Sequence, residues 1–220
     1  MPLEALVDND VAIKGSCYDA LAELVQQLGG PRSAGVLGTA RFVVRRQLER
    51  NPAIHNRAAA SVRWAAFLTD ASELEPTGSE VDLATTIEEA AANAGLALDG
   101  GESQLCAIAI SRAVPLLLTG DKRAIEAAEL LTAQVSQLSE LSNRVGCLEQ
   151  IIEWLVLILG AAAVRERVCA EPKIDKAISI CFSCASVVEI PNVDPQGLRS
   201  YINSVRAAAS TLLRDGQLFN

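Results

Sequence analysis

Val114-Pro115-Leu116-Leu117-Leu118-Thr119-Gly120-Asp121 is the stretch that decides the fold. It is a short apolar run that ends in a carboxylate and is followed by a helical pattern over 122–133. That is the form of a buried strand feeding a helix. Near the N-terminus, Leu6-Val7-Asp8-Asn9-Asp10 has the same form, with a strand predicted over 3–8. Strands alternating with helices are laid in parallel, and the carboxyl ends of parallel strands face one crevice where ligands bind. Asp99-Gly100-Gly101-Glu102 adds a helix start that carries further acids. Converging carboxylates repel each other in low dielectric and are stabilised by a divalent cation, so the pattern points to Mg²⁺ or Mn²⁺.

The chain between these landmarks supports an α/β reading. Residues 17–28 predict a helix with Leu21, Leu24, Val25 and Leu28 on one face, ended by Gly29-Gly30-Pro31. A short strand over 34–38 precedes helices over 39–50 and 53–69. Leu74-Glu75-Pro76 suits an edge strand, where proline is tolerated. Ser79-Glu80-Val81-Asp82 has the form of a capping box opening a helix to Ala94, closed by Gly95. The next helix covers 99–111, with Asp99 or Gly100 near its N-cap. After about 135 the strand signals fade, and helices are predicted over 148–164, 175–184 and 195–213. The predicted architecture is an α/β domain over 1–135, with a short parallel sheet flanked by helices, and an α-helical extension over 136–220.

Composition narrows the chemistry. The chain has 220 residues, enough for one well-buried domain with an extension. Half of them are apolar and only 4% aromatic, so the core is expected from Ala, Leu, Val and Ile. A single histidine, His55, excludes most Ser-His-Asp, Cys-His and multi-histidine zinc chemistry. It follows Asn51-Pro52 and reads as a surface or cap residue. The apolar run from Trp154 to Val164 is too short to span a bilayer, so no membrane partner is expected. Six cysteines and no recognisable leader point to a reducing, cytoplasmic setting.

The net charge of −8 argues against a polyanion binder taken as a whole. Residues 32–63, however, hold seven arginines against the one acid Glu49, a balance of +6 that leaves −14 on the rest. Arg41, Arg45 and Arg46 lie about one helical turn apart, with Arg50 a turn further on. Such a helix beside an acidic metal site suits phosphates on the arginines and a scissile bond at the metal. The same arginines suit acids elsewhere in the chain, or an acidic protein partner. Lys122 and Arg123 are also candidates for phosphate, or plain solvated charges. Cys147, Cys169, Cys181 and Cys184 fall in the extension, with CxxC spacing in the last pair. They suit a zinc or iron–sulfur site or, more simply, small buried apolar residues. Cys17 and Cys106 read as core.

Val7-Asp8-Asn9-Asp10-Val11, then Asp99-Gly100-Gly101-Glu102-Ser103-Gln104-Leu105-Cys106-Ala107 and Leu117-Leu118-Thr119-Gly120-Asp121-Lys122-Arg123-Ala124, resemble the ordered motifs of PIN-domain nucleases, VapC-type toxins among them. The resemblance covers roughly residues 3–133 and is strongest over the last forty. It implies a PIN-like three-layer fold and a metal-dependent endoribonuclease. Asp8, Glu102 and Asp121 would be the catalytic, metal-holding acids, with Asp10, Asp99 and Thr119 in support and Arg41, Arg45 and Lys122 on substrate. It also implies RNA as substrate, an antitoxin or other protein partner, a homo-oligomer, and a toxin-like or defence-associated role. One position departs from the pattern. Thr39-Ala40-Arg41-Phe42 stands where VapC-like members carry a glutamate early in the second helix, so Asp10 or Asp99 must supply that acid or the site is weakened. Glu88 and Glu89, mid-helix, are poorer substitutes.

Each acid has a second reading. Asp121 can cap a turn or the next helix, and Asp99 can be an N-cap. Asp8 follows an apolar strand and must find a partner if buried. Two alternative functions also stand. Asp8-x-Asp10 resembles the first motif of haloacid-dehalogenase-type phosphatases, without the usual Thr after the second Asp or a clear downstream Lys and acidic pair. The Arg41 departure, in turn, suits a degenerate PIN scaffold without catalysis.

Overall fold

In the computed structural model, which describes residues 2–185 and 196–219, β1 (Ala5–Val7) is buried along its whole length. So are β2 (Ala34–Leu37), β4 (Leu116–Thr119) and β5 (Val145–Cys147), whereas β3 (Ser72–Leu74) is half exposed. Unbroken apolar strands of this kind belong to a parallel sheet covered on both faces. The sheet is parallel throughout, in the order β3-β2-β1-β4-β5. The edge position predicted for the Leu74 strand is thus found.

The pleat divides the core. Ala5 and Val7 of β1, with Leu116 and Leu118 of β4, face one helical layer; Leu6 and Leu117 face the other. The first layer holds α1 (Asn9–Cys17), α2 (Leu21–Gln27), α3 (Ala40–Arg50) and α4 (Arg57–Asp70). The second holds α5 (Gly78–Ala94), α6 (Gly100–Ser111) and α7 (Lys122–Leu131). The three-layer α/β fold expected from the sequence is the one observed, PIN-like in its layout.

The C-terminal residues belong to both layers. The strand β5 falls within the stretch expected to be wholly helical and pairs with β4, Leu118 opposite Gly146. Val145-Gly146-Cys147 is only three residues long, too short for a periodic signal to register. The following helices, α8 (Leu148–Leu159), α9 (Ala161–Ala170) and α10 (Lys176–Cys181), pack with α1–α4, while α11 (Gln196–Ala208) bridges the two layers, with Leu198 in the first and Ile202 and Val205 in the second, against α8, α10 and α7. Residue 135 therefore marks no break in packing.

Several boundaries differ from those read in the sequence. The helix α1 starts immediately after Asp8, eight residues before the first predicted helix. Thr77 and Glu80, not Ser79 and Asp82, form the capping box of α5, while Gly95 closes it in the left-handed conformation as expected. The helix predicted over 148–164 is broken at Gly160, whose φ of 83° a side chain would strain. Of the stretch predicted over 195–213, residue 195 lies outside the described residues. No helix among the described residues is long and apolar enough to cross a membrane.

The sheet order places the site. The chain moves outward from β1 to β2 and β3, then returns across β1 to build β4 and β5. Loops leaving β1 and β4 therefore diverge, and the crevice between them is where open parallel sheets hold ligands.

Candidate active site

Asp8 and Asp121 leave the carboxyl ends of β1 and β4, and Glu102 stands in the first turn of α6. Together with Asp10 and Asp99 they line one open cavity of about 480 Å³. Lys14 and Arg123 are its cations, and Leu37 and Leu105 give it an apolar side.

Asp8 is 6% exposed and fully engaged. Its Oδ1 accepts from the Val11 amide at 2.7 Å, capping α1. Its Oδ2 accepts from the Thr119 hydroxyl at 2.5 Å and the Gly120 amide at 3.1 Å, clamping the ends of β1 and β4 together. Burial nevertheless pushes its carboxyl up to about 6, against the lowering effect of these hydrogen bonds, with the Asp10 charge adding to the rise. A Cβ at Gly120 would sit 1.9 Å from Asp10 Oδ2 and force the Asp10 carboxylate to turn away.

Glu102 and Asp99 form a capping box. The Glu102 carboxylate accepts from the Asp99 amide at 2.8 Å, and Asp99 accepts from the Glu102 amide at 2.9 Å. Half-burial drives Glu102 up to about 7, opposed by the Asp99 amide and reinforced by the charges of Asp99, Asp121 and Asp8. Asp121 goes the other way. Desolvation would raise it, but the Arg123 amide at 2.9 Å and guanidinium at 3.1 Å hold it below the ordinary range. It also caps α7, the second reading of this residue, while lining the cavity.

Lys14 was not foreseen, although it lies one helical turn after Asp10. Its ammonium is 2.6 Å from Asp10 and 2.8 Å from Asp175, the N-cap of α10. Desolvation works against its charge, and the two carboxylates outweigh that and raise it above the ordinary lysine value. Asp175 is 161 positions away in sequence, and only folding brings it to this rim. Its own local role, opening a helix at 176, was legible.

Three predicted substrate contacts lie outside the cavity. Lys122 turns to the buried Glu149 at 2.5 Å and to the Tyr201 ring at 4.3 Å. Arg41 bonds Glu73 of β3 at 3.2 Å, and Arg45 bonds Glu49 at 2.8 Å. Arg41 therefore brings no positive charge to the acids, and Asp10 and Asp99 both stand beside the three core carboxylates. Thr119 lies beneath Asp8 as its hydrogen-bond donor.

The cysteines do not form a metal site. Cys169 and Cys184 are joined in a disulfide, which ties the end of α9 to the turn after α10. This corrects the expectation of six reduced thiols. Cys147 is buried at the start of α8, and Cys181 packs against Gly197. Cys17 and Cys106 are core, as expected. His55 lies just before the N-cap Asn56, and its backbone amide donates to the buried Glu171 at 2.7 Å.

The acids suit a hard divalent cation in kind. They offer oxygen donors, and two of them ionise at a cost that a cation would offset. Their positions are less complete. Asp8, Glu102 and Asp121 each already accept hydrogen bonds from the protein. Among the described residues no three His, Cys, Asp or Glu side chains gather closely enough to enclose one ion. Comparison with known proteins gives no further guide: no family model, no curated protein and no solved structure matches this chain.

Proposed function

We propose that this protein is a PIN-type, metal-dependent endoribonuclease. One observation carries the reading: five carboxylates from β1, α1, α6 and the end of β4 line a single open cavity at the point where the sheet reverses direction. Asp8, Glu102 and Asp121 would have to draw in from their present positions to hold Mg²⁺ or Mn²⁺, with water completing its shell. Such an ion, when bound, lowers the pKa of a water and offsets the charge that develops on a phosphodiester.

The chain's own residues supply the rest. Thr119 and the Gly120 amide fix Asp8 so that its orientation does not depend on substrate. Arg123 reaches Asp121 from the exposed side and is placed to meet a phosphate at the cavity mouth. Lys14 neutralises Asp10 between two carboxylates and limits the repulsion that the remaining acids face. The reading brings with it a cytoplasmic, toxin-like or defence-associated role, with an antitoxin, another protein or a second copy of the chain as partner.

A phosphatase using Asp8 as nucleophile is disfavoured by Val11, which stands after Asp10 where that family's motif carries Thr. The test is cleavage of a mixed RNA pool with Mn²⁺ or Mg²⁺, beside EDTA and an Asp8→Asn/Asp121→Asn variant. Cleavage that needs metal and is lost in the variant supports the nuclease. Phosphate release from small phosphoesters, lost in the same variant, would transfer the site to phosphatase chemistry. No activity on either substrate would leave a scaffold.

A further inference from the structure

A second cavity lies between α3 and α4, with a volume of about 430 Å³. Arg41, Phe42, Arg45 and Glu49 of α3 form one wall, and Ser61, Trp64 and Leu68 of α4 the other. The Phe42 ring is 70% exposed, with the Arg41 guanidinium 5.9 Å from its centre. A large aromatic side chain left this open in a chain with so few aromatics calls for a partner.

Two further observations point to the kind of partner. Along α3, Arg46 and Arg50 have no hydrogen-bond or ion-pair partner among the described residues, and they line the neighbouring surface concavity. Arg45 is held only by Glu49 within its own helix, an exposed pair that a phosphate readily displaces. The surface therefore combines an open ring and a line of cations.

We propose that the α3–α4 cleft binds single-stranded RNA, with one base stacked on Phe42 inside the cleft and its flanking phosphates on Arg41, Arg45, Arg46 and Arg50. Every base has a face that stacks, and aromatic side chains flanked by cations are how single strands are held without base pairing. An acidic helix is a weaker fit, because it needs a continuous apolar stripe, whereas Phe42 stands between arginines. The cleft is also close to the acids. Leu37 lines the acidic cavity and Arg41 the cleft, so only residues 38–40 separate the two walls. The proposal rests on the ribonuclease reading, and places part of the substrate grip outside the cavity where cleavage would occur.

The test is equilibrium binding of a labelled single-stranded RNA 12-mer in EDTA, followed by fluorescence anisotropy and by Trp fluorescence. Working without metal separates binding from cleavage. Phe42→Ala is expected to weaken binding about tenfold and Phe42→Trp to restore it. Arg46→Gln/Arg50→Gln should weaken binding and flatten its salt dependence. A duplex RNA of the same length, whose bases are not free to stack, should bind more weakly.

Equal binding of duplex and single strand with no effect of Phe42→Ala would overturn the proposal, leaving a general phosphate-binding surface. Tighter binding of a Glu- and Leu-rich helical peptide, lost in Phe42→Ala, would overturn it in favour of a protein dock. Binding that depends on Phe42 without cleavage in any metal would sink the ribonuclease reading alone. Metal-dependent cleavage with binding indifferent to Phe42 would sink this proposal alone.

Discussion

Glu80 and Glu102 occupy the same position in the same local motif. Each is the third residue of a helix opened by a capping box, Thr77 with Glu80 at α5 and Asp99 with Glu102 at α6. Their surroundings diverge. The Glu80 carboxylate receives the Arg112 guanidinium twice, at 2.7 and 2.8 Å, and that hydrogen bonding, opposed by desolvation, holds it down at about 2. Glu102 has no cation bonded to it, only the more distant charge of Arg123, against three acidic neighbours, and stands at about 7. Arg112 is even the C-cap of the helix that Glu102 opens. One carboxylate is paired for stability, while the other is left unpaired where the sheet opens. A site that keeps such a charge without a partner is poised for a ligand that brings the partner.

The largest expected effect comes from removing the pairing. Arg112→Ala should destabilise the fold by about 3 kcal/mol at pH 7, since Glu80 is left buried and uncompensated. Urea denaturation measures it. The sign follows from the lowered carboxyl: the stabilisation is present above the ordinary value of 4.5 and is lost as pH falls through about 2. The gap between parent and variant should therefore close in strong acid. A gap that is constant from pH 7 to pH 2 would show that Arg112 acts through its bond to the Glu75 carbonyl instead.

The opposite change is expected at Glu102. A raised carboxyl means that the folded state binds the extra proton, so stability falls as pH rises from 4.5 through about 7. Glu102→Gln should stabilise the protein at pH 8 by about 1 kcal/mol after solvent screening, or about 2–4 °C in Tm, and change little at pH 4. A destabilised variant at pH 8 would mean that the capping hydrogen bond outweighs the charge. Next in size is the effect of the cation itself. Millimolar Mn²⁺ or Mg²⁺ should raise the parent Tm at pH 8 by a few degrees and leave Glu102→Gln nearly unmoved. An equal rise in both would place the ion elsewhere.

How much of this was legible follows from what each residue answers to. Asp8, Glu102 and Asp121 were readable because they sit at strand ends and a helix start, where local pattern and topology give the same answer. The strand β5 was not, because three residues carry no period. The helix α1 was hidden for a related reason: Asp8, read as a site acid at the end of a strand, is also its N-cap. Arg41 and Lys122 looked like contacts at the acidic cavity, which neither lines, because charge is visible in sequence and direction is not. Their carboxylate partners, Glu73 and Glu149, lie 32 and 27 positions away in the numbering. The pairing of Cys169 with Cys184, rather than Cys181 with Cys184, is likewise set by how α9 and α10 meet.

Asp175 gives the smallest expected effect, and it tests whether the acidic cavity depends on residues far down the chain. Its carboxylate does two things, capping α10 through the Ile178 amide at 3.0 Å and bonding Lys14 at 2.8 Å. Asparagine caps helices about as well as aspartate, so Asp175→Asn removes the charge and keeps the cap. Lys14 then keeps Asp10 alone. Its raised ammonium means that the ion-pair stabilisation is present below the ordinary lysine value of 10.5 and is lost above it. The variant should lose under about 1 kcal/mol at pH 7, with the gap narrowing in strong base. With Asp175 neutral, the whole Lys14 charge falls to Asp10 at the cavity edge. Affinity for Mn²⁺, read from the Tm rise at pH 8, should therefore drop a few-fold while the parent fold persists. An unchanged metal response would confine the C-terminal helices to a packing role, and the contrast between Glu80 and Glu102 would then be set wholly within residues 1–135.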